Sequence, residues 1–479
     1  MKPTLRWYDA IPINIYYLGL TTLAQTTTPL ILPLLVQQFV GAEQQGDYYG
    51  NLRLWMLMTA VLVQAFMGLL SDHSRLPWGR RRPFIVIGTL LTLACLVGIG
   101  FTANLQGFSG YYVLLIVTLL MMFSINIAHA AQQSLIPDLV PETQRGRFSG
   151  IKALMEVPLP LILVSLVVAP LVGRGNLWGG LGIAMGALTF GMLVSLWVRE
   201  TPLTETTPPL DWKPFSRLAI MTGAFTAIIL GSGSIVRLIG SALAYTTRTA
   251  ALFWMGSIGL ITMSAAIGLG VWLSVRIAFG SETRNHHAFG WWVVNRLAFL
   301  VGSTNLASFI VYFLQSRLQY DGEQAAGPAG QMLLVIGLAI LVTAPPGGWL
   351  ADRFGNRFMV MLSGLLAALG VLIAISIPNL TVIFIGALLI GVGTGIFYSA
   401  NWALGTTLVP REQAGRYLGV ANLAGAGAGA VGAYIGGPIA DLFTRNFPNQ
   451  AGLGYVLLFG LYGVMFLLSI AALSRVKTH

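Results

Sequence analysis

Long apolar runs recur from end to end of the chain, each broken by a short polar segment. Their positions predict helices at about 11–40, 51–71, 84–103, 111–137, 149–173 and 178–198. A second set follows at about 217–240, 250–275, 290–318, 328–351, 359–377, 381–404, 417–440 and 451–473. At 1.5 Å rise per residue each run is compatible with a ~30 Å hydrocarbon core. Between the sixth and seventh runs lies RETPLTETTPPLDWKPF, a polar linker carrying Pro202, Pro208, Pro209 and Pro214. Short alternating segments, the mark of a membrane β-barrel, are missing. The pattern predicts an all-α polytopic membrane protein with fourteen spans.

Composition agrees. Charged residues are 9% of the 479 and hydrophobic ones 56%, too few charges to clothe a soluble fold of this size. The net charge of +11 would suggest nucleic acid in a soluble chain. Here all but seven of the 27 lysines and arginines fall in one set of alternate loops, tails and their margins. The exceptions are Arg53, Arg174, Arg237, Arg248, Arg296, Arg317 and Arg445. That bias places both termini in the cytoplasm, within an inner or plasma-type membrane, and leaves no case for nucleic acid. The short N-terminal tail and long first run argue against a cleavable signal. Cys95, the single cysteine, reads as a small buried hydrophobe.

Two motif pairs repeat in the same order. GLLSDHSRLPWGRRRPF (68–84) is echoed by GGWLADRFGNRF (347–358), and PETQRGRFSG (141–150) by PREQAGRYLG (410–419). The chain therefore divides into an N-terminal six-helix bundle (1–200), a linker with a two-helix insertion (201–285) and a C-terminal six-helix bundle (286–479). The inserted spans match neither half and read as a peripheral hairpin. Arg237 within them either snorkels to the nearer edge or lines a solute path.

Polar residues deep in spans are the candidates for a solute site. In the first half they are Gln25 and Thr28 beside Pro29, Gln64, and Asn126, His129 and Gln133 on one broad helix face. The second half offers Asn305, Tyr398 and Asn401. Amides and hydroxyls near aromatic rings suit a hydroxylated, uncharged solute, although the same groups also glue helices together. Glu156 is the only carboxylate that the predicted spans enclose, and with His129 it is a candidate for proton coupling. Gly432 and Gly436, in small-xxx-small spacing, predict close helix contact. Five scattered histidines and one cysteine give no metal or acid–base constellation, so no enzyme, metal or cofactor is expected. His286 and His287 beside Glu282 read as a surface patch.

The run SDHSRLPWGRRRPF resembles the loop signature of the major facilitator superfamily. It is most similar to plant-type sucrose–proton symporters and, less closely, to the glycoside–pentoside–hexuronide cation symporters. That likeness implies a monomeric secondary transporter in the bilayer, moving a small sugar-like solute by alternating access with proton coupling. It further implies a cytoplasmic gate at Gly68, Asp72, Gly79, Arg80, Arg81 and Arg82, repeated at Asp352, Arg353, Gly355 and Arg357, with Arg147 and Arg416 nearby. The superfamily norm is twelve spans, so the central pair is a departure. Sodium coupling of the melibiose type would need carboxylates in the second span, and none follows Arg53 there. The competing functions are a non-transporting scaffold or assembly factor and an exporter of amphipathic compounds.

Overall fold

The structure is a computed structural model describing residues 5–76, 78–198, 200, 211–243, 246–280, 287–408, 414–450 and 452–476. Within lipid every backbone N–H and C=O needs an internal partner, so runs this long and apolar can only become helices. Thirteen helices are long and apolar enough to span a membrane, and one bent pair makes a fourteenth, among the described residues. We label the spans in order: α1 (Trp7–Val40), α2 (Gln45–Asp72), α3 (Arg82–Thr102), α4 (Gly107–Leu139), α5 (Glu142–Val172), α6 (Leu177–Ser195), α7 (Lys213–Ala242) and α8 (Arg248–Phe279). There follow α9 (His287–Ser308 with Ile310–Leu318), α10 (Gly322–Phe354), α11 (Asn356–Ser376), α12 (Leu380–Leu408), α13 (Gly419–Asn446) and α14 (Leu453–Leu473). Every predicted span is present, and most run several residues further than hydropathy alone indicates.

Several spans are interrupted, α4 briefly at Ser134 and three others as follows. Thr27–Ile31 of α1 forms a π turn around Pro29, which has no N–H to give to the preceding turn. In α5 the helix ends at Glu156, resumes at Pro158, and widens again into a π turn at Val164–Val168. The two pieces of α9 meet at 60° around Phe309.

The helices pack into two compact units. One comprises residues 1–35, 59–215 and 326–334, and the other 36–58, 216–325 and 335–479. The second unit thus holds the inserted helices α7 and α8 and also the segment from the end of α1 into α2. Within it, α2 and α13 cross with their backbones nearly touching. A Cβ on Gly50 would lie 2.3 Å from the Ala433 oxygen, and one on Gly437 would lie 2.0 Å from the Gly46 oxygen. In lipid, where apolar burial gives helices no reason to associate, such small-residue contacts supply van der Waals attraction instead. Gly432 and Gly436 also make close contacts: a Cβ there would meet Asn305 Nδ2 at 2.1 Å and Leu458 Cδ1 at 2.6 Å.

Candidate functional site

The first charged loop is a network, and Arg81 is its hub. The Arg81 side chain, only 3% exposed, bonds the Asp72 carboxylate, reaches Asp138 through Nε at 2.9 Å and holds the Ser71 hydroxyl. Arg80 also pairs with Asp138, while the Arg81 backbone N–H donates to Glu200 Oε2 at 2.7 Å. Asp138 and Glu200 sit at the ends of α4 and α6, so the loop ties three helix ends of the first unit together. Gly79 permits this: its φ is +117°, and a Cβ would stand 2.7 Å from Glu200 Oε2. Pro83 starts α3 without wasting a donor. Gly68 has no such constraint, since a Cβ there meets nothing within 4 Å. Arg82 keeps a buried Nε without a partner, and Arg147 is exposed.

The echo loop lacks the network. Asp352 is exposed and makes no ion pair among the described residues, so the expected acid–arginine clasp is not formed a second time. Arg353 lies over the Trp349 and Phe354 rings instead, and Arg357 donates to the Leu473 carbonyl at 3.2 Å. Gly355, at φ +91°, turns the chain between α10 and α11. The echo also differs in sequence at the position of the shared carboxylate. Asp138 lies three residues before Pro141, whereas Thr407 lies three before Pro410. The Arg416 side chain falls outside the described residues, as do most of the proline linker, Glu282 and His286.

In the first unit several expected residues do come together, with Gln64 and His129 half-buried and Gln133 exposed. Gln64 Nε2 donates to Gln133 Oε1 at 3.0 Å, and Gln133 bonds His129 Nε2 at 3.0 Å. The His129 ring packs edge-on to Tyr17 at 6.3 Å, Lys152 lies over that tyrosine at 4.4 Å, and Lys152 pairs with Glu156 at 3.6 Å. A continuous polar chain therefore runs from α2 through α4 and α1 to α5. Glu156 is not buried as expected: its side chain is 40% exposed, because α5 breaks immediately after it. Asn126 leaves the shared face, turning its amide back to the Met122 carbonyl at 2.8 Å. Gln25 and Thr28 are half-buried at the π turn.

The second unit holds a matching amide cluster. Asn401 Nδ2 donates to Asn295 Oδ1 at 2.8 Å and its own Oδ1 accepts from Arg296 at 3.2 Å. Trp292 bonds the Asn401 carbonyl, and Arg296 is flanked by the Trp292 and Trp402 rings. Tyr398 is exposed one turn away. Asn305 is fully buried and binds the Val301 and Ala428 carbonyls, the position of a residue that holds α9 to α13.

Three further charged groups lie within the spans of the second unit. Arg53, 8% exposed in α2, has a buried Nε without a partner. Asp441, 6% exposed, accepts the Gly46 and Asp47 N–H groups at 2.9 and 2.7 Å and so caps the start of α2. It is a second carboxylate within a span, missed because α13 continues past its predicted end at 440. Arg237 has a partner that its own span did not reveal: it forks onto Asp47 at 3.0 Å and lies over Tyr434 at 4.3 Å. Cys95 is half-buried.

Comparisons with known proteins fit this architecture. The sequence model of the Major Facilitator Superfamily matches residues 292–479. The chain is 30% identical over 148 residues to the multi-drug resistance efflux pump PmrA of Streptococcus pneumoniae serotype 4, covering 30% of this chain and 36% of the pump. It therefore spans about a third of that relative's length. Sucrose transport protein SUC3 of Arabidopsis thaliana is 37% identical over 54 residues, 11% of this chain and 9% of that protein. A likeness so short does not carry the sucrose subgroup. A crystal structure of nucleoside transporter NupG superposes with a TM-score of 0.63 at 13% identity, covering 97% of this chain and 99% of the other. The fold is thus that of the major facilitator superfamily, all-α and polytopic.

Proposed function

We propose that this protein is a secondary transporter that moves a small polar organic solute by alternating access. The single observation that carries the reading is the polar chain Gln64–Gln133–His129, an accessible run of hydrogen-bonding groups on helices otherwise built largely of apolar residues. Amides placed there at a cost to membrane stability have an evident use in exchanging hydrogen bonds with a passing hydroxylated solute. The superfamily fold supports it, as do relatives named as an efflux pump and a sucrose transport protein. Within this reading His129 is the better proton-coupling candidate, because it belongs to the chain itself. Glu156 is engaged by Lys152 at its exposed end.

The test is uptake of labelled sugars, polyols and nucleosides into proteoliposomes, with and without an imposed pH gradient. Saturable uptake of at least one solute is expected, falling by about tenfold in Gln133→Leu, the worth of one well-made hydrogen bond. No uptake or efflux of any solute, by protein that stays folded, would leave the scaffold reading. A second reading of the cargo has its own support. Arg53 and Arg296 lie within spans without a carboxylate partner among the described residues, an arrangement that suits an anionic group on the solute. Carboxylated and phosphorylated solutes therefore belong in the panel, and Arg53→Gln would selectively abolish their transport.

A further inference from the structure

The second unit contains a cleft of about 530 Å³ walled by α8, α9 and α14, lined by none of the residues assigned above to solute or gate. Its volume lies within the range of small-ligand sites, and its walls are apolar, with Ile267, Val271, Val294 and Leu468 among them. The lining follows α8 from Ser264 to Val275, α9 from His287 to Ala298 and α14 from Met465 to Arg475. At 1.5 Å per residue each stretch is roughly 16 Å long, about half the hydrocarbon core. All three stretches end at the same membrane face, since α8 finishes, α9 begins and α14 finishes there. The cleft is therefore as deep as one leaflet and opens at that leaflet's edge.

The mouth has a different chemistry. Arg475 and His287 line it, and among the described residues no carboxylate does. Trp291 Nε1 bonds His287 Nε2 at 3.1 Å, which fixes the imidazole. Arg276, one turn along α8 from Trp272, lies over that indole at 5.2 Å. Tryptophans at this level mark the lipid headgroup zone, and basic pockets between spans recognise anionic headgroups. Inside, Gly268 and Gly290 leave room: a Cβ on either meets nothing within 4 Å.

We propose that this cleft is a binding site for an anionic glycerophospholipid of the leaflet at the Arg475 face. One acyl chain fills the groove between the inserted helix α8 and its neighbours, and the phosphate rests against Arg475 and His287. The charge complementarity selects an anionic lipid over a zwitterionic one. The arrangement gives the inserted hairpin a role, as one wall of a lipid-filled seam.

Native mass spectrometry of the full chain, released from micelles containing phosphatidylglycerol or phosphatidylcholine with identical acyl chains, tests this. The wild type is expected to retain phosphatidylglycerol with about fivefold preference, the contribution of one arginine near an anionic surface. Gly268→Leu, whose side chain projects into open space, should lose both lipids while melting at the wild-type temperature. Arg475→Gln should keep binding and lose the preference. Equal retention of lipid by the wild type and a folded Gly268→Leu protein would overturn the proposal, as would undiminished selectivity in Arg475→Gln. If Gly268→Leu does not fold, Gly290→Leu makes the same test from the facing helix.

Discussion

At the scale of single residues, two loops of similar spelling have different energetics. Arg81 is buried among Asp72, Asp138 and Ser71, so removing an acceptor leaves a poorly solvated guanidinium. Asp138→Ala is expected to destabilise by about 1–3 kcal/mol, toward the low end because Asp138 is partly exposed. Asp352→Ala should change stability by less than about 0.5 kcal/mol, since that side chain is exposed and holds nothing. Thermal unfolding in detergent distinguishes the two, and equal losses would refute the asymmetry. A second contrast concerns protons: if His129 carries the coupling, His129→Gln loses gradient-driven uptake while Glu156→Gln retains it, as proteoliposome assays would read. The pairing of Asp72 with the arginines was legible, because the two ends of a short loop lie close enough for opposite charges to reach each other. Asp138 and Glu200 were not, since they approach from helix ends 57 and 119 residues away in sequence.

At the scale of elements, hydropathy located every span because lipid leaves the backbone no alternative to helix. It could not locate the ends, where a polar residue costs little once the helix has cleared the hydrocarbon. The extra turn of α13 matters most, for it carries Asp441 to the start of α2. Glycine spacing predicted close contact on α13, yet which glycines touch backbone depends on how helices cross. Gly437→Ala would drive a methyl into the Gly46 carbonyl and is expected to cost about 1–3 kcal/mol. Gly425→Ala on the same helix meets nothing within 4 Å and should be neutral or slightly stabilising. Melting temperatures of the two variants check this directly. Arg237 illustrates the same limit: its position within α7 was legible, but its partner Asp47 lies 190 residues away.

At the scale of the whole molecule, an even number of spans would return the chain to the face where it began, and from the arginine bias we propose that this face is the cytoplasmic one. A green fluorescent protein fused after His479 should therefore fluoresce, while alkaline phosphatase at the same place should stay inactive; the reverse would invert the topology. Fold class was readable from the sequence because it rests on hydropathy and repetition. Cargo was not, because amides that could bind a solute can equally glue helices together, as Asn305 does between α9 and α13. The central claim is that the two units change their relation as solute crosses. Double electron–electron resonance between spin labels at Arg75→Cys and Asp352→Cys, on a Cys95→Ala background in nanodiscs, measures that motion. Two distance populations, redistributed by the solute identified in uptake, are predicted; one narrow population, unchanged by a solute that is transported, would contradict the account.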